Sequence, residues 1–333
     1  MKRVALLGSG FIASIHMEAW RNIEKAEVSA FFEVHPERAK AFREKYPLPH
    51  YDSFRALLDH EDIDIIDICL PTFLHREYTE MAAQSGKHVF CEKPIALTVE
   101  DAKAMEDICQ RHGVFLMVGQ VLRFWGEYVT AKRLLEEKAI GKVLFVEAFR
   151  LSVTPTWSVG SWILDPSLSG GASLDLHIHD LDYANWLLGR PKKVFAQGIC
   201  SVNGAIDHIT TQVHYEGGAL ASIQGGWMMP GDFPFTCGFR ILGEEGVLEW
   251  SFRAGVNIEE RGQTNPLTLY RREGTRTILA PQGDAYTAEL EYFLECVERG
   301  TPPQEGTAKQ ATLALQVALA AQRSVREGTT ITL

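Results

Sequence analysis

A lysine lies between a glutamate and a proline in the segment Glu92-Lys93-Pro94, directly after an apolar run that ends Val-Phe-Cys. An ammonium group there could hydrogen-bond a substrate hydroxyl or carbonyl and stabilise the charge that develops on the oxygen during hydride transfer. Because proline fixes the backbone that follows, the lysine would be aimed rather than loose. The competing interpretation is an exposed lysine in an ordinary turn, which three common residues would also produce.

A second candidate site contains an aspartate and a histidine in the segment Gly170-Gly171-Ala-Ser-Leu-Asp175-Leu-His-Ile-His179. On a regular helix Asp175, His179 and Asp182 follow one another at i, i+4 and i+7 and point to one side, next to an apolar stripe. Histidine titrates near neutral pH and could accept an alcohol proton, while a nearby carboxylate would orient it. A surface helix with ordinary polar pairs is the competing interpretation.

Other kinds of reactive site have no matching pattern in this sequence. His177 lies two positions before His179 and projects to another side of the predicted helix, so the two make a poor metal site and we predict no metal. The sequence has no nucleophile elbow, no Walker loop and no zinc-ligand spacing.

The first apolar run, residues 3–7, is followed by Gly8, Gly10 and Ala13 and then by the start of a helix. Gly8 permits a tight turn, Gly10 lets backbone amides approach a pyrophosphate, and Ala13 lets the helix pack closely on the sheet. Glu33 ends the next apolar run, about 20 residues further on, where an acidic side chain binds the ribose 2′-hydroxyl. This combination predicts a dinucleotide-binding unit.

Up to about residue 121 short β-rich runs alternate with helical segments, which predicts a parallel sheet covered on both faces, the doubly wound or Rossmann fold. Ligands of such sheets bind beyond the carboxyl ends of the strands, where the unusual residues of this chain collect. We therefore assign residues 1–121 to a dinucleotide-binding domain. The predicted strands are 3–7, 27–33, 63–69, 87–91 and 114–118, and the predicted helices begin at Phe11, after Pro36, after Asp52-Ser53, at His75 and after Thr98.

From about residue 122 the β-rich runs become longer, and several alternate apolar with polar residues as antiparallel strands do. We assign residues 122–333 to a substrate-binding α+β domain with a large, mostly antiparallel open sheet. Its apolar side chains exceed what one layer of helices would bury, so we predict a homodimer or homotetramer formed through this sheet. The predicted strands are 143–153, 193–203, 208–215, 219–227, 235–242, 247–252 and a short C-terminal one, and the predicted helices are 126–138, 173–188, 284–299 and 307–326.

The chain has 333 residues, 46% of them hydrophobic, which is long enough for two cored domains. Its formal net charge of −10 argues against nucleic acid or a membrane surface as a partner. The six cysteines contain no CxxC pair, and several lie in apolar runs, as in proteins of a reduced compartment. Because neither a signal-peptide pattern nor an apolar run of about 18 residues occurs, we predict a cytoplasmic protein.

These motifs together resemble those of the Gfo/Idh/MocA oxidoreductase family, which includes glucose–fructose oxidoreductase and inositol 2-dehydrogenase. The resemblance runs along the whole chain in order. It implies a two-domain, usually oligomeric NAD(P)-dependent dehydrogenase that acts on CH–OH groups of sugars, cyclitols or related polyols. The matching segments are Gly8-Ser-Gly10-Phe-Ile-Ala13, Glu33-Val-His-Pro-Glu-Arg-Ala39, Leu70-Pro71-Thr72-Phe-Leu-His75, Gly86-Lys-His-Val-Phe-Cys-Glu92-Lys93-Pro94, Arg123-Phe124, Trp162, and the Asp175-x-x-x-His179-Asp180 helix ending Trp186-Leu-Leu-Gly189.

The resemblance also implies roles for individual residues. Members of the family use the Glu-Lys-Pro lysine with the helix aspartate and histidine around the substrate, so the expected catalytic residues are Lys93, Asp175 and His179. Arg123 and Trp162 join these three as expected substrate contacts. The expected cofactor contacts are Gly8, Gly10, Phe11, Ile12, Glu33, Leu70, Pro71, His75, Glu92 and Gln120.

Two positions depart from the family pattern. The usual Thr-Pro-Asn is Leu70-Pro71-Thr72 here, which should alter cofactor contacts without removing them. Inositol dehydrogenases carry paired arginines where this chain has Leu122-Arg123. One polyol-binding cation is therefore missing, and we do not expect an inositol dehydrogenase.

These residues are compatible with three functions. The leading hypothesis is an NAD-dependent dehydrogenase of a sugar or polyol, whose active site forms where the two domains meet. In it Lys93 polarises the reacting oxygen, His179 takes its proton, and Asp175 orients substrate and base. An NAD-dependent glycoside hydrolase of the same fold would instead cleave a glycoside with no net NADH. A catalytically silent dinucleotide sensor ranks last, because it need not retain these three residues.

We predict that NAD is preferred to NADP. Glu33 can accept hydrogen bonds from the ribose 2′-hydroxyl, whereas its charge repels a 2′-phosphate. His35 and Arg38 follow closely in sequence and leave room for partial use of NADP. Comparing kcat/KM for the two cofactors tests this prediction, and a preference for NADP would contradict it.

Overall fold

The computed structural model describes residues 1–60, 62–156, 158–254 and 263–333. Residues 1–124 alternate strands and helices as the sequence predicts. The strands are β1 (Lys2–Leu7), β2 (Ala26–Phe32), β3 (His50–Tyr51), β4 (Ile65–Ile68), β5 (His88–Glu92) and β6 (Leu116–Gly119). The helices are α1 (Phe11–Arg21), α2 (Pro36–Lys45), α3 (Phe54–His60), α4 (His75–Gln84) and α5 (Val99–His112), with 3-10 turns at Thr72–Leu74 and Val121–Arg123.

The six strands form one parallel sheet in the order β3-β2-β1-β4-β5-β6. The chain starts in the middle of the sheet and winds outward in both directions, so the loops after β1 and β4 leave a crevice at their carboxyl ends. The predicted Rossmann fold is confirmed. The sequence did not predict β3, because a strand of two residues is too short to show an alternation.

The rest of the described chain is richer in strands. The strands are β7 (Val143–Val153), β8 (Pro191–Cys200), β9 (Ile206–Tyr215), β10 (Leu220–Met229), β11 (Thr236–Gly243), β12 (Gly246–Arg253), β13 (Gln263–Thr264), β14 (Leu267–Arg271), β15 (Gly274–Ile278) and β16 (Ile331–Thr332). The helices are α6 (Gly126–Glu136), α7 (Pro166–Ser169), α8 (Ala172–Asp175), α9 (Ile178–Leu188), α10 (Ala285–Arg299) and α11 (Ala308–Glu327), with a 3-10 segment at Val159–Leu164.

These strands build a ten-stranded sheet in the order β15-β14-β12-β11-β7-β10-β9-β8-β16, with β13 paired to β12. Every pairing is antiparallel except that of β7 with β10. The predicted large, mostly antiparallel sheet is confirmed. The sequence missed the β14–β15 hairpin, because β15 lies at the edge of the sheet, is almost wholly exposed, and has no apolar face to read.

The described residues form two compact units. The first unit is Met1–Phe124 with Gly283–Thr312, and the second unit is Trp125–Gln282 with Leu313–Leu333. The change of pattern after residue 122 predicts that residues 284–299 belong to the second domain, whereas α10 packs in the first unit. Its buried Leu290 and Phe293 share a hydrophobic core with Leu6 and Trp20. An apolar stripe shows which side of a helix is buried but not which core receives it, so sequence spacing could not assign this helix.

The predicted continuous helix 173–188 is divided into α8 and α9. At the junction the N–H of His177 donates to the carbonyl of Ala172 at 2.9 Å, a wide turn that spans five residues rather than four. A wide turn shifts the side chains that follow it around the helix axis, so regular i, i+4 spacing does not hold across it. The helix ends as predicted at Gly189.

No helix in the described ranges has both the length and the apolar character needed to cross a membrane.

Candidate functional site

The turn after β1 depends on a glycine. Gly8 has a φ of 103°, and a Cβ at this position would lie 2.6 Å from the carbonyl oxygen of Cys69, which follows β4. Both the backbone conformation and the close approach therefore exclude a side chain here. The first strand can end against the fourth only with this residue.

The N-terminus of α1 directly follows this turn and has no side-chain cap. The residue before the helix is Gly10, which has no side chain to cap the helix. No acidic residue occupies the first turn of α1. The first N–H groups of a helix have no partner within the helix and attract anions. Phe11 is partly exposed beside them, and Ile12 packs against the core. The geometry fits the pyrophosphate of a dinucleotide.

Glu33 lies at the end of β2 with its carboxylate already held. Ser9 Oγ donates to it at 2.6 Å, the His35 N–H donates at 3.0 Å, and Arg38 Nε lies 3.5 Å away. Burial alone would raise the pKa of Glu33, but the hydrogen bonds from Ser9 and His35 outweigh it and keep the pKa below its usual range. The side chain is therefore an ionised acceptor at the place where the sequence predicts the ribose contact.

The loops after β4 and β5 are joined by a buried histidine. The ring of His75 contacts the carbonyl oxygen of Leu70 at 2.8 Å through Nε2 and that of Pro94 at 2.9 Å through Nδ1. Burial lowers the pKa of His75. Pro71 directly precedes the 3-10 turn Thr72–Leu74, which leads from Leu70 to His75. Both Leu70 and Pro71 are partly exposed. Cofactor contact by His75 stays a prediction, since both ring nitrogens already meet backbone carbonyls.

Lys93 leaves the edge of the sheet from an anchored backbone. Its N–H donates to Glu92 Oε2 at 2.9 Å, and the Lys93–Pro94 peptide is cis. Glu92 and Pro94 are buried, whereas Lys93 is partly exposed. The lysine is thus the member of the Glu-Lys-Pro motif that can meet a ligand.

Gln120, which follows β6, adds an unused donor at the same edge of the sheet. Its side chain is buried, and among the described residues its Nε2 has no hydrogen-bond partner. A buried N–H group without a hydrogen-bond partner lowers the stability of the folded protein unless a ligand or water molecule accepts from it. The orphaned donor, the uncapped α1 terminus and the ionised Glu33 together fit a bound dinucleotide.

Arg123, an expected substrate contact, is buried in the first unit. Its Nη1 lies 2.6 Å from Glu305 Oε2. The sequence spacing gave no sign of this pair, because the two residues are 182 positions apart. Substrate binding by Arg123 stays a prediction.

In the second unit Asp175 and His179 are both partly exposed, whereas His177 between them is fully buried. His177 Nε2 contacts Thr211 Oγ1 at 2.8 Å on β9, and burial lowers the pKa of His177 to about 3. This histidine is neutral near pH 7 and structural. Asp182 is buried, and the wide turn at His177 lies between Asp175 and His179, so it is the predicted i, i+4 relation of Asp175 to His179 that the structure interrupts.

Trp162 lies in the 3-10 segment that precedes α7. It is partly buried and packs against a small core of Ile163, Ala172 and Trp227. Ala172 is the first residue of α8, which also carries Asp175. The structure therefore brings the predicted Trp162 close to the helix pair that bears the second candidate site.

A buried ion pair that the sequence analysis missed fixes α9 to the sheet. Arg150 on β7 binds Asp180 in a bidentate manner, with Nε–Oδ2 and Nη2–Oδ1 distances of 2.8 and 3.0 Å, and its Nη2 also lies 3.2 Å from the Tyr128 hydroxyl. Asp180 follows His179 directly, so this pair sets the backbone from which His179 projects. The signal in the sequence was an arginine at an inward position of β7.

Comparison with known proteins agrees with this geometry. A family model described as the oxidoreductase family with an NAD-binding Rossmann fold matches residues 2–120, and one described as the GFO/IDH/MocA C-terminal domain matches residues 128–249. The D-apiose dehydrogenase of Paraburkholderia graminis is 31% identical over 353 residues, covering 99% of this chain and 89% of that protein. The myo-inositol 2-dehydrogenase of Thermotoga maritima is 27% identical over 338 residues, covering 98% and 96%.

Solved structures are similar over the full chain. The aldose-aldose oxidoreductase from Caulobacter crescentus, complexed with glycerol, has a TM-score of 0.86 at 28% identity and covers 100% of this chain and 99% of its own. A levoglucosan dehydrogenase in complex with NADH and levoglucosan has a TM-score of 0.83 at 23% identity and covers 99% of each chain. The second likeness bears on the fold alone.

We predict that Asp180→Asn destabilises the protein by about 3–5 kcal/mol, because it leaves the buried Arg150 guanidinium without its counter-charge. Chemical denaturation measures the change in unfolding free energy. Glu147→Gln is the matched control. Glu147 lies on β7, the strand that carries Arg150, and pairs with Arg240 of β11 at 2.9 Å in an exposed position, so its loss should lower the unfolding free energy by less than about 1 kcal/mol. Equal losses in the two variants would contradict the prediction.

Proposed function

Because the chain belongs to the Gfo/Idh/MocA family of oxidoreductases, which bind NAD in a Rossmann domain, we propose that it is an NAD-dependent dehydrogenase of a sugar or related polyol. The observation that carries this proposal is Lys93, partly exposed and backed by buried Glu92, at the edge of the sheet that holds the dinucleotide-binding turn. A cation there suits an oxygen that gains negative charge as hydride leaves carbon.

The cofactor would be held by residues of the first unit. Gly8 and Gly10 expose the turn and the α1 terminus to the pyrophosphate, Glu33 accepts from the ribose hydroxyls, and Gln120 supplies its free amide. Bound NAD supplies the hydride acceptor.

In the proposed chemistry Lys93 hydrogen-bonds the reacting hydroxyl and stabilises its alkoxide character. His179 accepts the hydroxyl proton, and Asp175 orients the substrate and the base. The buried His177 is unsuited to this role, because Thr211 occupies its Nε2 and its pKa is about 3. Asp180 would act only as a positioning residue for His179, through its pair with Arg150.

The substrate class rests on the relatives. The D-apiose dehydrogenase and the levoglucosan dehydrogenase are named for sugars or sugar anhydrides, and the aldose-aldose oxidoreductase was crystallised with glycerol. Inositol 2-dehydrogenases are also among the relatives, and the Leu122-Arg123 pair, which stands where inositol dehydrogenases carry two arginines, is the feature that supports a sugar over an inositol as the substrate of this chain. A screen of sugars, inositols and sugar acids for NADH production at 340 nm identifies it. Cleavage of a chromogenic glycoside without net NADH would instead favour the hydrolase.

A cytoplasmic location is part of this proposal. All six cysteines lie in the described residues as free thiols, five of them buried, as is usual in a reducing compartment.

We also propose that the protein is a homo-oligomer through the outer face of the second unit's sheet. Neighbouring strands there align apolar side chains in one row, by the pairings Leu220 with Phe145, Phe145 with Leu242, Leu242 with Val247, and Val247 with Tyr270. Leu220, Leu242 and Tyr270 are each about two-fifths exposed, at 39%, 42% and 40%. A continuous apolar row of this kind is typical of a subunit interface.

The catalytic roles predict that Lys93→Ala and His179→Ala each lower kcat at least about a hundredfold, with NAD affinity preserved. Asp175→Asn should raise KM as well as lower kcat, because it removes the charge but keeps the shape. Steady-state kinetics and calorimetry with NAD measure the two effects. The exposed Lys103→Ala and His112→Ala serve as controls of the same residue types. Near-normal turnover in His179→Ala would end its assignment as the base, and loss of NAD binding in Lys93→Ala would make the lysine a cofactor residue.

The proposed interface predicts that Leu220→Glu combined with Leu242→Glu gives a monomer, because two charges in the apolar row cannot be buried against a partner. Light scattering should then report the chain mass of 37.2 kDa, against a multiple of it for the wild type. Leu279→Glu is the control, since Leu279 is 90% exposed and lies outside the sheet. A wild-type protein that is monomeric at micromolar concentration would contradict the proposal.

A further inference from the structure

A cluster of ionisable side chains lies buried behind Glu92 in the first unit. His16 of α1 contacts Asp67 of β4 through Nδ1 at 3.0 and 3.1 Å, and contacts Glu92 Oε1 through Nε2 at 3.0 Å. Trp20 Nε1 donates to Asp67 Oδ2 at 2.7 Å. The side chains of His16 and Asp67 are completely buried. No sequence motif predicts a role for His16 or Asp67.

His16 has a carboxylate at each ring nitrogen, and the Cys69 thiol also lies 3.3 Å from its Nδ1; we infer from this arrangement that the ring carries two protons. A carboxylate can only accept, so a ring with a carboxylate at each nitrogen is satisfied when both nitrogens are N–H donors. Burial alone would lower the pKa of His16, but the charge of Asp67, then that of Cys69, together with the hydrogen bonds to both, outweigh it and raise the pKa well above its usual range. The imidazolium therefore links Asp67 to Glu92.

Glu289 of α10 completes the cluster from a distant part of the chain. It is fully buried, and neither carboxylate oxygen has a hydrogen-bond partner within the described residues. One side-chain nitrogen or oxygen atom from each of His16, Glu92 and Glu289, of the kind that could bind a metal ion, lies within 4.8 Å of the other two. Burial, then the nearby charge of Glu92, raises the pKa of Glu289 well above its usual range. A neutral carboxylic acid avoids a third negative charge in this enclosed space.

The link from this cluster to Lys93 is direct. Glu92 accepts from His16 with Oε1 and from the Lys93 N–H with Oε2. Room for this carboxylate comes from Gly119 of β6, where a Cβ would lie 2.9 Å from Oε1. Both oxygens of Glu92 are thus held in place.

We propose that His16 is a positioning residue for Lys93: its imidazolium holds Glu92 against Asp67, and Glu92 in turn fixes the backbone from which the lysine projects. Glu289 closes the cluster as a neutral acid. The inference rests on the proposed catalytic role of Lys93, but the charge states of the cluster can be tested without any substrate.

The first test reads the protonation of His16 in the full-length wild-type protein. Nitrogen NMR of histidine-labelled protein, assigned by comparison with His16→Gln, should show His16 as an imidazolium at pH 7, with its titration midpoint well above that of a free histidine. Asp67→Asn should lower that midpoint. A neutral His16 at pH 7 would overturn the proposal. A stoichiometric metal ion found by elemental analysis of the purified protein would also overturn it, because His16, Glu92 and Glu289 would then bind the metal.

The second test separates positioning from mere stability. His16→Gln keeps a polar side chain but cannot bridge two carboxylates as an ion, and it should lower kcat at least about tenfold through misplacement of Lys93. Trp20→Phe is the matched control: it removes a hydrogen bond to the same Asp67 but leaves His16 and Glu92 in contact. The kcat of Trp20→Phe should stay within about twofold of wild type, even where its melting temperature falls as far as that of His16→Gln. Equal kcat losses in both variants would overturn the positioning role.

The third test concerns Glu289, which faces Glu92, His16, Asp67 and Asp284. A carboxyl group whose pKa is raised by folding contributes stability that is full below its unfolded pKa and is lost as pH rises toward the folded value. Glu289→Gln removes this loss, so its melting temperature should rise relative to wild type between about pH 5 and 7. Glu298→Gln, on the exposed side of the same helix, should show no such trend. An identical pH trend in both variants would overturn the neutral state of Glu289.

Failure of the proposed function is recognised separately. If no sugar or polyol yields NADH with the wild type, the dehydrogenase proposal fails, while the NMR and melting experiments still decide the charge states of His16 and Glu289.

Discussion

Close approach of the backbone at the carboxyl edge of the parallel sheet is the constraint on which the first unit depends. A Cβ at Gly8 would lie 2.6 Å from the carbonyl oxygen of Cys69, and a Cβ at Gly119 would lie 2.9 Å from Glu92 Oε1. Glycine at these two positions lets β1 end against β4 and lets the Glu92 carboxylate turn inward beside β6. The exposed amides of the turn and the inward carboxylate both follow from the absence of these two side chains.

Both units anchor a candidate reactive residue through a buried charge next to it in the chain. Glu92 precedes Lys93 and is held by His16, and Asp180 follows His179 and is held by Arg150. A buried charge is tolerated only when a partner on another element compensates it, so each anchor also locks two elements together. The neighbouring reactive side chain, Lys93 or His179, is partly exposed, while the backbone beside it is fixed by the buried contact. The buried residues Glu92 and Asp180 thus fix the backbone, and the partly exposed residues next to them are the ones that can contact a substrate.

The electrostatics of cofactor binding are local rather than global. With a net charge of −10 the chain as a whole repels an anionic dinucleotide, but salt screens such long-range repulsion beyond about 8–10 Å. At short range the uncapped amides of α1 attract the phosphates. Glu33 is held as an ion by Ser9 and His35 before any ligand arrives, so its ribose-binding geometry needs no rearrangement.

The sequence by itself determined the alternation of strands and helices, the glycine turn, the acidic residue after β2, and the positions of Lys93, Asp175 and His179 in their motifs. These features depend on local periodicity and on backbone conformations that few residues adopt, so they can be read from spacing. Tertiary structure alone decided that α10 joins the first unit, that a wide turn at His177 interrupts the predicted helix, and that Arg123 meets Glu305. It alone revealed the clusters around His16 and Arg150 as well. The physical reason is that the state of a buried polar group depends on what faces it, and its partner lies at a sequence distance that no local pattern records.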